Sequence, residues 1–515
     1  NGADCDPMIY NTCAMYPQNR ATVHLHGNNT VWISDGTTHQ WTSPAGETTP
    51  YPRGVSARNV PDMPDPGPGA LTFYYTNAQS ARLMFYHDHA MGITRLNVYA
   101  GEAAGYVITD QVEQDLINGT NNSGVNIPDT VTGFKKVLPD IGIPLVIQDR
   151  TFVDNATIAA QDPTWNSGTG PRTVDPIKGS IITAAVTGDL WYPHVYMPAQ
   201  NPWNPDLSGM NPFGRWHYGP WFYPPTTFLA VGPVANPYAD PANPGYSDLE
   251  PPFMPGTPNP SMAGEAFMDT PVVNGTAYPY LEVEPKAYRF RILNAGDDRF
   301  LNLQLYVAAD RNSRTTAGTT DNVLCDGINT VAQDNCTEVR MVPVGGAPNQ
   351  LADLPSGLPD PATKGPDWIQ IGTEGGFLPA PVVIPSQPVG YNTNATAFNV
   401  GNVNQHALLL GTAERADVIV DFSAYAGKTL ILYNDAPAAF PAGVPVYDYF
   451  TGVPDQTDVG GAPTTQPGYG PNTRTIMQIR VNAGADSTAP RDYVNPATLA
   501  TLQSVLPAAF KVAQD

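Results

Sequence analysis

One residue in five of this 515-residue chain is glycine (47) or proline (55), against a usual share of about 12 %. Proline removes a backbone N–H and crowds the preceding helical turn, and glycine weakens a helix through backbone entropy. A helical bundle or a coiled coil is therefore excluded, and many short strands joined by long, punctuated connections are expected. Hydrophobic residues at 41 % and aromatic residues at 10 % are enough to build cores, so the chain is not read as disordered. No run of eighteen apolar residues occurs, so no membrane span is expected. The length allows three or four units, fewer if they are large all-β units.

Period-two alternation marks the strands. Residues 1–110 carry three such runs: Thr22-Val23-His24-Leu25-His26, Arg82 to His89, and Gly105 to Asp110. Residues 111–143, polar and rich in Gly and Asn, read as a linker. A second block, 144–484, opens at Pro144 to Arg150. It continues through runs at 281–283, 288–292, 301–305, 368–371, 416–422, 429–433 and 475–481. Two insertions are expected within it, at about 190–265 and about 310–366, the first dense in Pro, Trp and Tyr. Residues 485–515 read as a trailing linker with one short helix around 497–505. Antiparallel strands with long Gly/Pro connections point to β-sandwiches.

The formal net charge of −22 opposes binding to phosphate backbones or anionic lipid, so no nucleic-acid partner is expected. The four cysteines form two local pairs in sequence. Short loop closure favours Cys5–Cys13 and Cys325–Cys336 among the three connectivities, the alternative being four free thiols. Two disulfides imply an extracytoplasmic location, periplasmic, cell-surface or secreted. No signal peptide is visible, and the opening Asn-Gly-Ala-Asp-Cys reads as a mature or truncated start.

Four of the eight histidines form two His-x-His pairs, His24/His26 and His87/His89. Random placement gives even one such pair only about a tenth of the time. On a strand, alternate side chains share a face, so each pair projects together while Leu25 turns to the core. If the two strands are neighbours, four imidazoles converge. Neutral imidazole suits copper, zinc, iron and nickel. Four imidazoles exceed the three of a typical catalytic zinc site, which favours a multinuclear centre. His39, His194, His217 and His406 have no such spacing and are read as surface or packing residues.

These motifs have a family resemblance. His24-Leu25-His26-Gly27, Ser34-Asp35-Gly36, Tyr86-His87-Asp88-His89-Ala90-Met91 and Thr94 to Gly101 closely resemble the first domain of multicopper oxidases, nearest the bacterial laccase, bilirubin oxidase and phenoxazinone synthase group. The resemblance continues through Val146 to Arg150, Val273-Asn274-Gly275, Leu281 to Pro285, Tyr288 to Arg291, Glu374-Gly375-Gly376 and Ala413 to Asp417. It implies an all-β chain of tandem cupredoxin-like Greek-key sandwiches. Residues 1–110 would be a partial first domain, incomplete at its N-terminus, and 144–484 a copper-free second domain. By position, His24 resembles a type 2 copper ligand, and His26, His87 and His89 resemble type 3 ligands. Asp35 resembles the acidic residue that assists proton delivery. The implied reaction couples one-electron oxidation of a phenolic, tetrapyrrole or metal-ion donor to four-electron reduction of O2 to water.

The chain also departs from the family pattern. The family's trinuclear cluster uses eight histidines, and its type 1 copper needs a cysteine with two histidines. No cysteine here adjoins a histidine. Half of the trinuclear ligands and the type 1 site are therefore expected on a companion chain or missing segment carrying a third domain, leaving this chain incomplete and inactive by itself. A non-catalytic cupredoxin-like copper-binding or scaffold subunit is the alternative. A zinc hydrolase is weaker, because no supporting Glu lies beside the motif.

Overall fold

The computed structural model describes residues 17, 19–49, 51–55, 63–129, 133–161, 168–174, 181–192, 196–198, 234–235, 253–254, 261–263, 267–313, 323–343, 357–438, 440–441, 448–455, 462, 464–484 and 497–514. Strands dominate. Strands β1 (Val23–His26), β2 (Arg82–Asp88) and β3 (Ala103–Ile108) form an antiparallel sheet in that order. Alternation puts Leu25, Met84 and Ile108 together in one buried cluster, which leaves the histidines for the opposite face. Helix α1 (Thr94–Ala100) follows β2 and stops at Gly101, whose φ of 115° suits the left-handed helix end.

The larger body is a sandwich of two sheets. Its strands are β4 (Ile143–Arg150), β5 (Thr270–Val273), β6 (Thr276–Ala277), β7 (Tyr280–Val283), β8 (Ala287–Asn294), β9 (Leu301–Asp310), β10 (Cys336–Val339), β11 (Trp368–Thr373), β12 (Gly376–Ile384), β13 (Leu408–Leu410), β14 (Arg415–Asp421), β15 (Thr429–Asn434) and β16 (Thr475–Val481). One sheet runs β6-β5-β4-β8-β14-β11-β12. The other runs β7-β16-β15-β9-β10, with β13 also on β9. Inward residues of both sheets, among them Phe290, Ile292, Leu303, Leu305, Trp368, Val418 and Leu432, share one core. The pairing is not wholly antiparallel as expected, since β4 with β8 and β7 with β16 are parallel. Parallel neighbours need long crossovers, and the lengthy connections supply them.

Two stretches differ from the sequence reading. Residues 111–143, expected as a linker, contain helix α2 (Gln111–Asn118), capped by Asp110 accepting from the Glu113 N–H. Its Val112 and Leu116 join a second core on the outer face of the seven-stranded sheet, with Val137, Leu138, Ile371 and Phe377. The trailing segment carries α3 (Ala497–Gln514), longer than the short helix expected and containing Pro507. Leu502, Val505, Leu506 and Ala509 pack into that same core, a burial that outweighs one lost helix hydrogen bond. Cys325 and Cys336 form a disulfide with Cα atoms 6.1 Å apart. Cys5, Cys13 and most of the 190–265 insertion lie outside the described residues. No helix among the described residues is long and apolar enough to cross a membrane.

The three-stranded sheet leans on the sandwich. Leu83 and Phe85 pack against Leu293 and Ala295. The Tyr99 hydroxyl donates to the Thr151 carbonyl at 2.9 Å, and Arg95 pairs with Asp298. These contacts set the orientation of the histidine face.

Candidate metal centre

The register of β1 on β2 places His24 opposite His87 and His26 opposite Phe85. Cross-strand partners share a face of the sheet, so three imidazoles and a phenyl ring lie side by side. The ring centroids of His24, His26 and His87 are 5.4–5.7 Å apart, and one ring nitrogen of each lies within 4.8 Å of the others. His89 follows the last residue of β2, its N–H donating to the Thr22 carbonyl at 3.1 Å. Its ring is 4.9 Å from that of His24 and 5.8 Å from that of His87. All four histidines singled out from the sequence are thus brought together.

The ring nitrogens are only partly engaged. His24 Nδ1 meets the Asp35 carbonyl at 2.7 Å and the Asp35 carboxylate at 3.3 Å. His87 Nδ1 meets the Asp88 carbonyl at 2.6 Å. As Nδ1–H donors, both rings keep an Nε2 lone pair. His26 Nδ1 faces His87 Nε2 at 3.3 Å, a spacing that two donors about 2.0–2.1 Å from a common ion can adopt. His89 Nδ1 is buried without a hydrogen-bond partner. An unpartnered buried nitrogen beside three further imidazoles is the donor set of a metal site, and it fits copper.

Burial favours the neutral form of three of these imidazoles. Burial, then the charge of Arg415 and the other histidines, pushes His26 down to about 4. Burial likewise lowers His87 and His89. Neutral imidazole is the form a metal ligand needs. Asp35 stands at the edge with a half-exposed carboxylate, in a turn pressed against β1. A Cβ at Gly36, where φ is +65°, would lie 1.9 Å from the Val23 carbonyl oxygen, so glycine is required there.

Two residues of the site were not anticipated. Asp88, almost fully buried, accepts from the N–H groups of Thr22 at 2.8 Å and Ala90 at 3.0 Å. It thereby ties the start of β1 to the segment after His89. The available signal was a carboxylate at the core-facing position between two histidines. Arg415 reaches the site from β14, its guanidinium carbon 5.5 Å from the Phe85 ring centroid. Nothing local announces a contact made across 332 residues. His39 is exposed, and His406 bonds the Ala407 carbonyl at 2.8 Å. His194 and His217 lie outside the described residues.

No family model matches the chain. Among curated proteins, it is similar to the laccase of Bacillus subtilis (strain 168), 26 % identical over 421 residues that cover 82 % of this chain and 44 % of that protein. The laccase of Haloferax volcanii is 24 % identical over 420 residues, 82 % of this chain and 38 % of the relative. The bilirubin oxidase of Albifimbria verrucaria is 33 % identical over 146 residues, 28 % of this chain and 19 % of the relative. The chain spans less than half the length of the curated relatives it matches. Among solved structures, the McoA multicopper oxidase of Aquifex aeolicus matches 93 % of this chain and 54 % of its own at 17 % identity, with a TM-score of 0.36.

Proposed function

We propose that this chain, which belongs to the multicopper oxidase family, holds part of a trinuclear copper cluster in an oxidase that passes electrons from a reduced donor to O2. The observation that carries the reading is the convergence of His24, His26, His87 and His89 on one sheet face. Bound there, copper supplies the redox chemistry that reduces O2 to water. His24 is assigned to the type 2 copper, and His26, His87 and His89 to the type 3 coppers. Asp35 places a half-exposed carboxylate beside His24, a position from which it can assist proton delivery to the site. Asp88 fixes the relative placement of the two His-x-His runs.

The type 1 copper and the remaining cluster ligands are assigned to polypeptide outside this sequence. The support is the ligand inventory: four clustered histidines, and no cysteine beside a histidine. On this reading the chain alone is inactive. An extracytoplasmic location is supported by the Cys325–Cys336 disulfide. The relatives named laccase and bilirubin oxidase favour a phenolic or tetrapyrrole donor, with a metal ion as the other candidate class.

The test is oxygen uptake by the copper-loaded protein, isolated together with any polypeptide that remains bound to it. Uptake driven by a phenolic donor and abolished by His87→Ala is expected. Copper-independent uptake, or uptake untouched by that substitution, would refute the reading.

A further inference from the structure

We propose that Arg415 is a positioning residue for His26, acting through Phe85 and Gly27; this rests on the reading of His26 as a copper ligand. Arg415 opens β14 in the sandwich and is only 4 % exposed. Its backbone N–H is fixed by a carboxylate oxygen of Glu374 at 2.5 Å. Its side chain crosses to the histidine sheet, Nε donating to the Leu83 carbonyl at 3.2 Å while Nη1 donates to the Ala413 carbonyl at 2.7 Å. A guanidinium bonded to both bodies at once has little freedom left.

Two contacts lead from this group to His26. Its carbon lies 5.5 Å from the centroid of the Phe85 ring, and that ring stacks on His26 with centroids 4.7 Å apart and planes 25° apart. Its Nη2 lies so close to Gly27 that a Cβ there would be 3.0 Å away. The guanidinium therefore touches the residue after His26 and the cross-strand partner of His26. It brackets the imidazole whose Nδ1 faces His87 Nε2. Only a planar fork can donate in two directions while presenting a face to an aromatic ring, so lysine would not substitute. The His24 ring bonds to the Asp35 carbonyl instead, and the His89 backbone N–H donates to the Thr22 carbonyl, so the contacts of Arg415 reach only one edge of the cluster.

The test is a Cu(II) titration of the metal-free full chain, read by calorimetric affinity and by the nitrogen couplings in electron paramagnetic resonance. Arg415→Met is expected to weaken binding by about tenfold or more, the scale for groups that orient a metal-bound histidine, and to remove one nitrogen coupling. Arg415→Lys should not restore either. Phe85→Leu carries the same expectation should Arg415→Met fail to fold. Arg82→Met is the control, because Arg82 bonds Ser80 and Glu374 on the same interface. It should lower the melting temperature while leaving affinity within about twofold and the nitrogen count unchanged. Arg415→Met or Phe85→Leu behaving like Arg82→Met would overturn the proposal. Wild-type affinity in His26→Ala would instead show that His26 is no ligand, a distinct failure.

Discussion

In the sandwich, buried cations meet buried anions; on the three-stranded sheet, four imidazoles meet one another. Arg289 lies between Asp417 and Glu113, with Arg291 also on Glu113. Asp448 similarly lies between Arg299 and Arg474. Each of these side chains is nearly or wholly withdrawn from water, and each has its counter-charge. The histidine face has no such complement. His26 Nδ1 and His87 Nε2 face one another, one buried nitrogen has no hydrogen-bond partner, and the nearest carboxylate stands at the rim. A buried charge that loses its partner is strongly destabilising, whereas clustered neutral bases are the ligands a metal cation needs. The first arrangement serves folding, and the second is the donor set that the proposed copper centre requires.

Substitutions should separate the two arrangements. The largest effect is expected from Glu113→Ala, which leaves Arg289 and Arg291 short of a counter-charge where no water reaches. A loss of about 3–5 kcal/mol in urea unfolding, with copper affinity unchanged, is the expected outcome. Cys336→Ser should cost about 3 kcal/mol, the chain-entropy value for a closed loop of this length, again with no change in copper binding. Asp115→Asn comes next. Burial would raise the Asp115 carboxyl, but hydrogen bonds from Thr120 and Ser123 outweigh it and hold it well below the usual carboxylate range. Its stabilisation is therefore complete above the ordinary aspartate pKa of about 3.9 and is lost as pH falls through the lower folded value. The gap in unfolding midpoint between wild type and variant should be constant from neutral pH to about pH 4 and close below it. The smallest stability effect belongs to the site itself. His87→Ala should change metal-free unfolding by about 1 kcal/mol or less while sharply weakening copper binding. A large stability loss there would erase the distinction between the two arrangements.

Much of this was legible in sequence because the informative contacts are local. Alternation over Leu301 to Leu305 and Thr475 to Val481 marks strands that the structure contains, and His-x-His spacing on a strand fixes which face each imidazole takes. Helix α2 was also legible in principle. Asp110 and Glu113 have the spacing of a helix-start pair, and Val112 and Leu116 stand four apart on its buried side. The surrounding Gly and Asn residues obscured it. Helix α3 outruns its local signal because Leu506 and Ala509, on either side of Pro507, both pack into the second core. Arg415 and the parallel pairing of β4 with β8 could not be read from sequence, since both depend on segments far apart in the chain.

A crystal structure of the copper-loaded protein, with anomalous scattering recorded at the copper edge, addresses the histidine cluster most directly. Copper is expected about 2 Å from imidazole nitrogens of His24, His26, His87 and His89, with Asp35 beside the His24 ring. Copper bound elsewhere, or these four rings turned apart with no metal among them, would contradict the reading of this sheet face as a copper centre.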